Sequence, residues 1–115
     1  MNLAVPASAI KVTWCPMPIV SAHPTVARIQ AEVARFYGIE LFEMLSTRRA
    51  RTVTRPRQLA MFLARELTPL SLPLIGRLFK RDHSTVCHAI NVIEALLFDD
   101  DLLRQDIAFL KVRIA

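Results

Sequence analysis

The sequence contains few glycines and few polar aromatic residues. Two glycines occur in 115 residues, together with one tryptophan and one tyrosine. So few glycines exclude a glycine-rich loop that cradles phosphates, and they disfavour an all-β fold built on tight turns. No nucleotide-hydrolysis motif is present, so we expect no bound nucleotide and no cofactor. Because 53% of the residues are hydrophobic, we expect one folded domain with a mainly aliphatic core.

Cysteine is also scarce, and long apolar runs are absent. Cys15 and Cys87 follow no spacing pattern, which is typical of free thiols in a reducing compartment. Pro6, Pro16 and Pro18 interrupt the apolar residues near the N-terminus, where no signal-peptide pattern is found. No stretch approaches the roughly 20 apolar residues that span a bilayer. We therefore expect a cytoplasmic protein that does not enter a membrane.

The net charge of +5 is concentrated in one segment. Residues 48–81 contain nine arginines and lysines but one acid, Glu66, whereas the rest of the chain has six basic and nine acidic residues. Such a segment is typical of a surface that binds a polyanion, and a merely solvated face is the alternative. Eight of the nine basic residues are arginines, which favours bidentate contacts with phosphates and bases.

Apolar spacing predicts an all-α domain of about five to six helices over residues 24–115. The residues expected to face its core are Val26, Ile29, Val33, Phe36, Leu59, Ala60, Leu63, Leu67, Leu74, Ile75, Leu78, Val86, Ala89, Ile90, Ile93, Leu97, Leu103, Ile107, Leu110 and Ile114. Residues 1–23 show neither helical nor strand periodicity. We interpret them either as an irregular arm that packs on the domain or on a protein partner, or as a loose tail.

Local signals place the ends of several helices. Thr25 is expected to cap the first helix and Gly38 to end it. A short helix is predicted at 40–45. Residues 46–54 have no apolar face and are predicted to form a basic loop, so that Pro56 lies in the first turn of the next helix.

Two helices at 71–79 and 82–97, separated by a short turn, are predicted to form a central helix-turn-helix. The second helix begins with polar residues, namely Asp82, His83, Ser84, Thr85, Cys87, His88 and Asn91. Polar groups at a helix N-terminus can enter the major groove of DNA and contact base edges. An ordinary capped helix with a polar outer face is the alternative, but the adjacent basic segment favours DNA binding.

Residues 24–115 resemble the C-terminal DNA-binding domain of the bacterial replication initiator DnaA. The matching segments are Arg-Arg-Ala-Arg-Thr-Val-Thr-Arg-Pro-Arg-Gln (48–58), Leu-Ala-Arg-Glu-Leu-Thr (63–68), Ser-Leu-Pro-Leu-Ile-Gly (71–76) and Arg-Asp-His-Ser-Thr-Val-Cys-His-Ala-Ile (81–90). The resemblance implies sequence-specific binding of double-stranded DNA at DnaA-box-like sites of the TTATNCACA type. It further implies a nucleoid-associated protein that regulates replication initiation or nearby transcription. No ATPase module is part of the resemblance, so we expect no enzyme activity.

The resemblance also implies which residues contact the DNA. The base-reading residues are Arg49 in the minor groove and, in the major groove, Leu72, Pro73, Asp82, His83, Ser84 and Thr85. Phosphate contacts are implied for Arg51, Arg57, Gln58, Arg65 and His88, and we add Arg48, Lys80 and Arg81 because of their charge. The residues themselves suggest the same division, because a loop arginine fits a narrow minor groove and a helix N-terminus fits the major one.

Two details depart from the family's pattern. The turn Phe79–Lys80–Arg81–Asp82 is one residue shorter than the family's Phe-Gly-Gly-Arg-Asp, which we expect to rotate or tighten the entry of the second helix. Ser84 replaces the usual threonine, and so lacks a methyl group that could contact thymine.

The sequence offers three alternatives to DNA binding. His83, Cys87 and His88 lie close in sequence, but no second ligand cluster accompanies them, so no metal site is expected. Ser84, His88 and Asp82 are accompanied by neither a glycine elbow nor a pocket signature, so no catalytic triad is expected. The remaining alternative is a protein-interaction module with only residual DNA binding, which would use residues 1–23 and the acidic C-terminal helix.

Overall fold

The computed structural model describes residues 24–47 and 49–114, so the predictions for residues 1–23 and for Arg48 lie outside the described residues. The described part is all-α, as predicted. Its six helices are α1 (Val26–Tyr37), α2 (Leu41–Met44), α3 (Arg51–Leu67), α4 (Leu72–Leu78), α5 (His83–Leu96) and α6 (Asp101–Ile114). No helix in these ranges is long and apolar enough to cross a membrane.

The predicted ends of α1 are confirmed. The Thr25 side chain accepts a hydrogen bond of 3.1 Å from the backbone N–H of Arg28. Gly38 ends the helix in the left-handed conformation, with φ of 68°, which glycine adopts without the steric cost that a Cβ imposes. At the other end of the domain, Asp100 caps α6 by accepting from the N–H of Leu103 at 3.0 Å.

The start of α3 was predicted wrongly. The helix begins at Arg51, so four residues of the predicted loop are helical and Pro56 is the sixth residue of the helix. A proline there deprives the carbonyl of Thr52 of its helical donor. The first turn nevertheless forms, because the N–H groups of Val53 and Thr54 both donate to Ala50 O. Val53 is also 1% exposed, which fixes this turn in the core.

The core surrounds α3, which packs against α1 and α5. The predicted core-facing residues are buried, with five exceptions. Leu67, Leu74 and Leu97 are partly buried, whereas Phe36 and Leu78 are 37% and 43% exposed, contrary to the prediction. Burying one such Leu or Ile side chain contributes about 1.5–3 kcal/mol. In addition α4 packs on α5, while α6 packs on α1. The packing therefore presents the turn between α4 and α5 beside the N-terminal end of α3.

Candidate DNA interface

The predicted helix-turn-helix consists of α4, a four-residue turn and α5. The Ser71 hydroxyl accepts from the N–H of Leu74 at 3.4 Å and caps α4, and Pro73 is tolerated in the first turn. The turn is held by backbone hydrogen bonds from Lys80 to Arg77 O at 3.1 Å and from Arg81 to Gly76 O at 2.8 Å. These bonds fix where α5 begins relative to α4.

Gly76 permits the close approach of the two helices. A Cβ at this position would lie 2.6 Å from the carbonyl oxygen of Arg81 and 3.2 Å from the carbonyl carbon of Asp82. Both atoms belong to the backbone and cannot move aside without displacing the turn. A glycine is therefore required here for packing, since the start of α5 rests directly on α4.

The shortened turn is closed by a residue in an unusual conformation. Lys80 has φ of 60°, the one positive φ among the described residues other than glycine. A side chain in the left-handed region costs about 1–2 kcal/mol relative to glycine. Closing the turn therefore requires a strained backbone conformation at Lys80, whose side chain is exposed.

The first residues of α5 are exposed as a continuous set. Asp82, His83, Ser84 and Thr85 are all exposed, and the side chain of Asp82 makes no capping hydrogen bond although it occupies the N-cap position. Its carboxylate is therefore available to accept from a ligand. Val86, directly after them, is fully buried and fixes this end of α5 on the core.

A groove of 620 Å³ lies between this turn of α5 and the α2–α3 loop. We call it the basic groove; its lining residues are Thr47, Arg49, Thr54, Arg57, Gln58, Lys80, Arg81, Thr85 and His88. Residues from the loop, from α3, from the turn and from α5 thus meet at one surface. No acidic side chain lines it, so its potential is positive and suits a polyanion.

Arg57 has a role that the sequence did not predict. Its side chain is buried, with the residue 6% exposed, and its Nε donates to Met44 O at 2.6 Å while its Nη2 donates to Ser46 O at 3.0 Å. Burial, and secondarily the positive charge of Arg81, lower the pKa of the Arg57 guanidinium. Arg81 also donates to Ser46 O. The two arginines therefore fix the α2–α3 loop to the turn, and little of Arg57 is left to meet a phosphate.

Not all the predicted contact residues line the basic groove. Leu72 is half-buried against the core and Pro73 is exposed, both at the start of α4. Arg65 is exposed in the last turn of α3. Arg51, Asp82, His83 and Ser84 are also outside the lining of the groove, whereas Thr85 belongs to it.

Sequence reasoning missed Thr47 and Thr54, which line the basic groove. The signal for Thr54 was present as spacing. Arg51, Thr54, Gln58 and Arg65 are separated by three, four and seven residues, which puts them on one face of a helix. This face does not exist if residues 46–54 form a loop, as the apolar pattern predicts.

Metal binding finds no geometric support in the part of the chain that the structure describes. No three His, Cys, Asp or Glu side chains in it are close enough to share an ion. Cys87 is an exposed free thiol on α5.

Comparison with known proteins also identifies a helix-turn-helix in this part of the chain. Residues 26–93 match the family described as "Bacterial dnaA protein helix-turn-helix". The chain is 52% identical over 87 residues to the chromosomal replication initiator protein DnaA of Bartonella quintana, which covers 75% of this chain and 18% of that protein. The DnaA protein of Anaplasma marginale is 53% identical over 87 residues, with coverage of 75% and 18%.

A solved structure is also similar. The crystal structure of a DNA replication initiation factor aligns with a TM-score of 0.70 and 32% identity, covering 77% of this chain and 27% of that one. The chain spans under a fifth of the length of the two DnaA proteins, so the likeness concerns their helix-turn-helix region. This chain belongs to the bacterial DnaA helix-turn-helix family.

Proposed function

We propose that the chain binds double-stranded DNA in a sequence-specific manner, at DnaA-box-like sites, and thereby regulates replication initiation or nearby transcription in the nucleoid. The observation that carries this proposal is the basic groove, which joins the exposed first turn of α5 to the α2–α3 loop. The relatives are chromosomal replication initiators. Because the match is limited to one region of them, DNA recognition is the part of their activity that we propose for this chain.

The first turn of α5 supplies the base-reading groups. We propose that it enters the major groove, where the free carboxylate of Asp82 accepts from a cytosine amino group and His83 donates to a purine. The methyl group of Thr85 meets a thymine methyl. Leu72 and Pro73 add apolar contacts from the adjacent start of α4.

Arg49 is the proposed minor-groove residue. It is exposed in the loop that precedes α3, on the wall of the basic groove opposite α5. Since major and minor grooves alternate along one face of DNA, a protein can occupy both with two neighbouring elements. Arginine is attracted to minor grooves narrowed by A·T pairs, where the negative potential is strongest.

The phosphate contacts divide into two groups. Arg51, Gln58 and Arg65 lie along one face of α3, and Lys80 and His88 lie on the opposite side of the basic groove. We propose that both groups hold the backbone, together with the exposed part of Arg81. Arg57 supports these contacts indirectly, because its hydrogen bonds hold the α2–α3 loop in place.

Salt dependence of binding tests whether the basic groove and the adjoining face of α3 together form the DNA surface. With roughly five or six phosphates contacted, the slope of log K against log [salt] is expected to be near −5. Arg51→Ala removes one contact and should make the slope less negative by about 0.9. Arg104→Ala, on α6, is the matched control and should leave it unchanged. A slope shallower than about −2 for the native chain contradicts a polyphosphate contact of this size.

Arg49→Ala separates minor-groove reading from phosphate binding. The change should weaken binding by about 1–3 kcal/mol, mainly on duplexes that keep the A·T-rich half of the site. Duplexes in which only that half is replaced by G·C pairs serve as the control in fluorescence anisotropy titrations. An equal loss on both duplexes would make Arg49 a phosphate contact instead.

Lys80→Gly should change stability and DNA binding in opposite directions. Glycine relieves the left-handed strain at Lys80, but its greater freedom in the unfolded chain offsets part of this gain. The free energy of unfolding should therefore rise by about 0.5–1 kcal/mol. Loss of the charge should weaken DNA binding at low salt. Lys80→Asn tolerates the same φ and also removes the charge. Urea unfolding that shows a less stable Lys80→Gly variant would contradict strain at this turn.

A further inference from the structure

A smaller cleft adjoins the basic groove beside α3. It encloses 230 Å³, and we call it the α3–α5 cleft; its lining residues are Arg49, Arg51, Thr54, Arg55, Gln58 and Val92. Arg49, Thr54 and Gln58 also line the basic groove, so the two cavities are continuous. Three arginines but no acidic side chain line the α3–α5 cleft. Its potential therefore favours an anion.

Two consecutive residues of the α3–α5 cleft each have a polar atom without a partner. Oγ1 of Thr54 and Nη1 of Arg55 are buried, and neither makes a hydrogen bond within the described part of the chain. Such atoms destabilise a folded protein, most of all when the group is charged. A guanidinium only donates and a threonine hydroxyl can donate. The missing partner is therefore an acceptor common to both, which an anion in the cleft would supply.

The carboxylates on the other side of Arg55 do not take this place. Arg55 also lines a second cavity of 400 Å³, to which Asp100 and Asp106 belong. Both carboxylates have other partners, since Asp106 forms a hydrogen bond with Tyr37 and Asp100 accepts from the N–H of Leu103 at 3.0 Å. Their negative charges repel an anion from the second cavity. An anion that pairs with Arg55 therefore belongs in the α3–α5 cleft.

We propose that Thr54 and Arg55 hold a backbone phosphate of the bound DNA in the α3–α5 cleft. This inference rests on the proposed function and adds two residues to its phosphate contacts. Arg49, the proposed minor-groove residue, lies where the cleft meets the basic groove. The phosphate therefore belongs to a strand that borders the A·T-rich minor groove. Because phosphate contacts set the register of base contacts, holding this strand orients Arg49 towards the bases.

Arg55→Met should weaken DNA binding without destabilising the fold. Methionine keeps much of the side-chain length but removes the buried N–H that has no partner, so the melting temperature should stay equal or rise. The affinity should fall by roughly tenfold on box and scrambled duplexes alike, because a phosphate contact carries no sequence information. Thr54→Val removes the hydroxyl and should have a smaller effect in the same direction. Arg35→Met, at an exposed position on α1 outside both cavities, is the matched control.

Single methylphosphonates in the box duplex locate the contact. Each replaces one charged phosphate of the A·T-rich half by a neutral group, and fluorescence anisotropy measures binding of the native chain, Arg55→Met and Arg35→Met. At one position the neutral group should weaken binding of the native chain and of Arg35→Met by roughly tenfold, but that of Arg55→Met by no more than about threefold. A change in the stability of the fold does not produce such a coupling.

Three results would overturn the inference. They are a lower melting temperature of Arg55→Met, an Arg55→Met affinity equal to that of the native chain, and equal losses of the two chains at every methylphosphonate. If the native chain still prefers the box duplex in these experiments, the proposed function stands without this contact. A native chain that binds neither duplex would refute the proposed function, and the phosphate contact with it.

Discussion

Replacing His83 and Thr85 together by alanine is expected to leave the chain folded but to lower the proposed preference for a DnaA-box duplex over a scrambled one by on the order of 10²-fold or more. Each lost base contact costs about 1–3 kcal/mol on the correct site. Binding to the scrambled duplex depends on phosphates and should change little. Both side chains are exposed at the start of α5, so the melting temperature should stay within a few degrees.

The control for this double variant is Gln105→Ala, an exposed and uncharged side chain on α6. It should keep both the stability and the preference for the box. Unfolding of the double variant would show that His83 and Thr85 hold the start of the helix. A preference that survives in a folded variant would mean that other side chains read the bases, with Ser84 and His88 the next candidates on α5.

Arg57→Met should lower the free energy of unfolding by about 2–4 kcal/mol. The methionine fills a similar volume but leaves the carbonyl of Met44 without its charged donor, and it leaves the carbonyl of Ser46 with the charged donor Arg81. A hydrogen bond to a charged group contributes about 1.5–3 kcal/mol, and a buried acceptor left without a partner costs about 1–3 kcal/mol. Arg57→Lys should lose most of the same stability, because an ammonium does not reproduce the planar donors of a guanidinium.

Arg51→Met is the matched control for Arg57→Met. Arg51 is exposed in the first turn of α3, so its variant should keep its stability and lose DNA affinity. Urea unfolding and DNA titration of both variants distinguish the roles. If Arg57→Met were as stable as the native chain and only bound DNA less tightly, Arg57 would be a phosphate contact, as its sequence position implies, and not a support of the loop.

The difference between Arg57 and the other arginines explains why the site was only partly predictable. Thr25, Gly38 and the α4–α5 pair followed from signals within a few residues of each position, namely caps and apolar spacing. The role of Arg57 depends instead on the end of α2, thirteen residues away in sequence. Nothing local to Arg57 indicates that two carbonyls will face its guanidinium.

The start of α3 and the conformation of Lys80 escaped prediction for similar reasons. Val53 is the single large aliphatic residue between Leu45 and Leu59, too weak a pattern to predict the first turn, although its burial holds that turn in place. Lys80 has its positive φ in the turn whose far end packs directly on Gly76, and residue types alone do not indicate this conformation.

Competition binding tests the central claim most directly. A labelled DnaA-box duplex bound to the full-length chain is displaced by unlabelled box duplex or by a scrambled duplex of equal length and composition, at one physiological salt concentration. A sequence-specific reader should require on the order of 10³-fold more scrambled DNA than box DNA for the same displacement. Equal displacement by the two duplexes would contradict base reading by α5 and leave the basic groove as a non-specific polyanion surface.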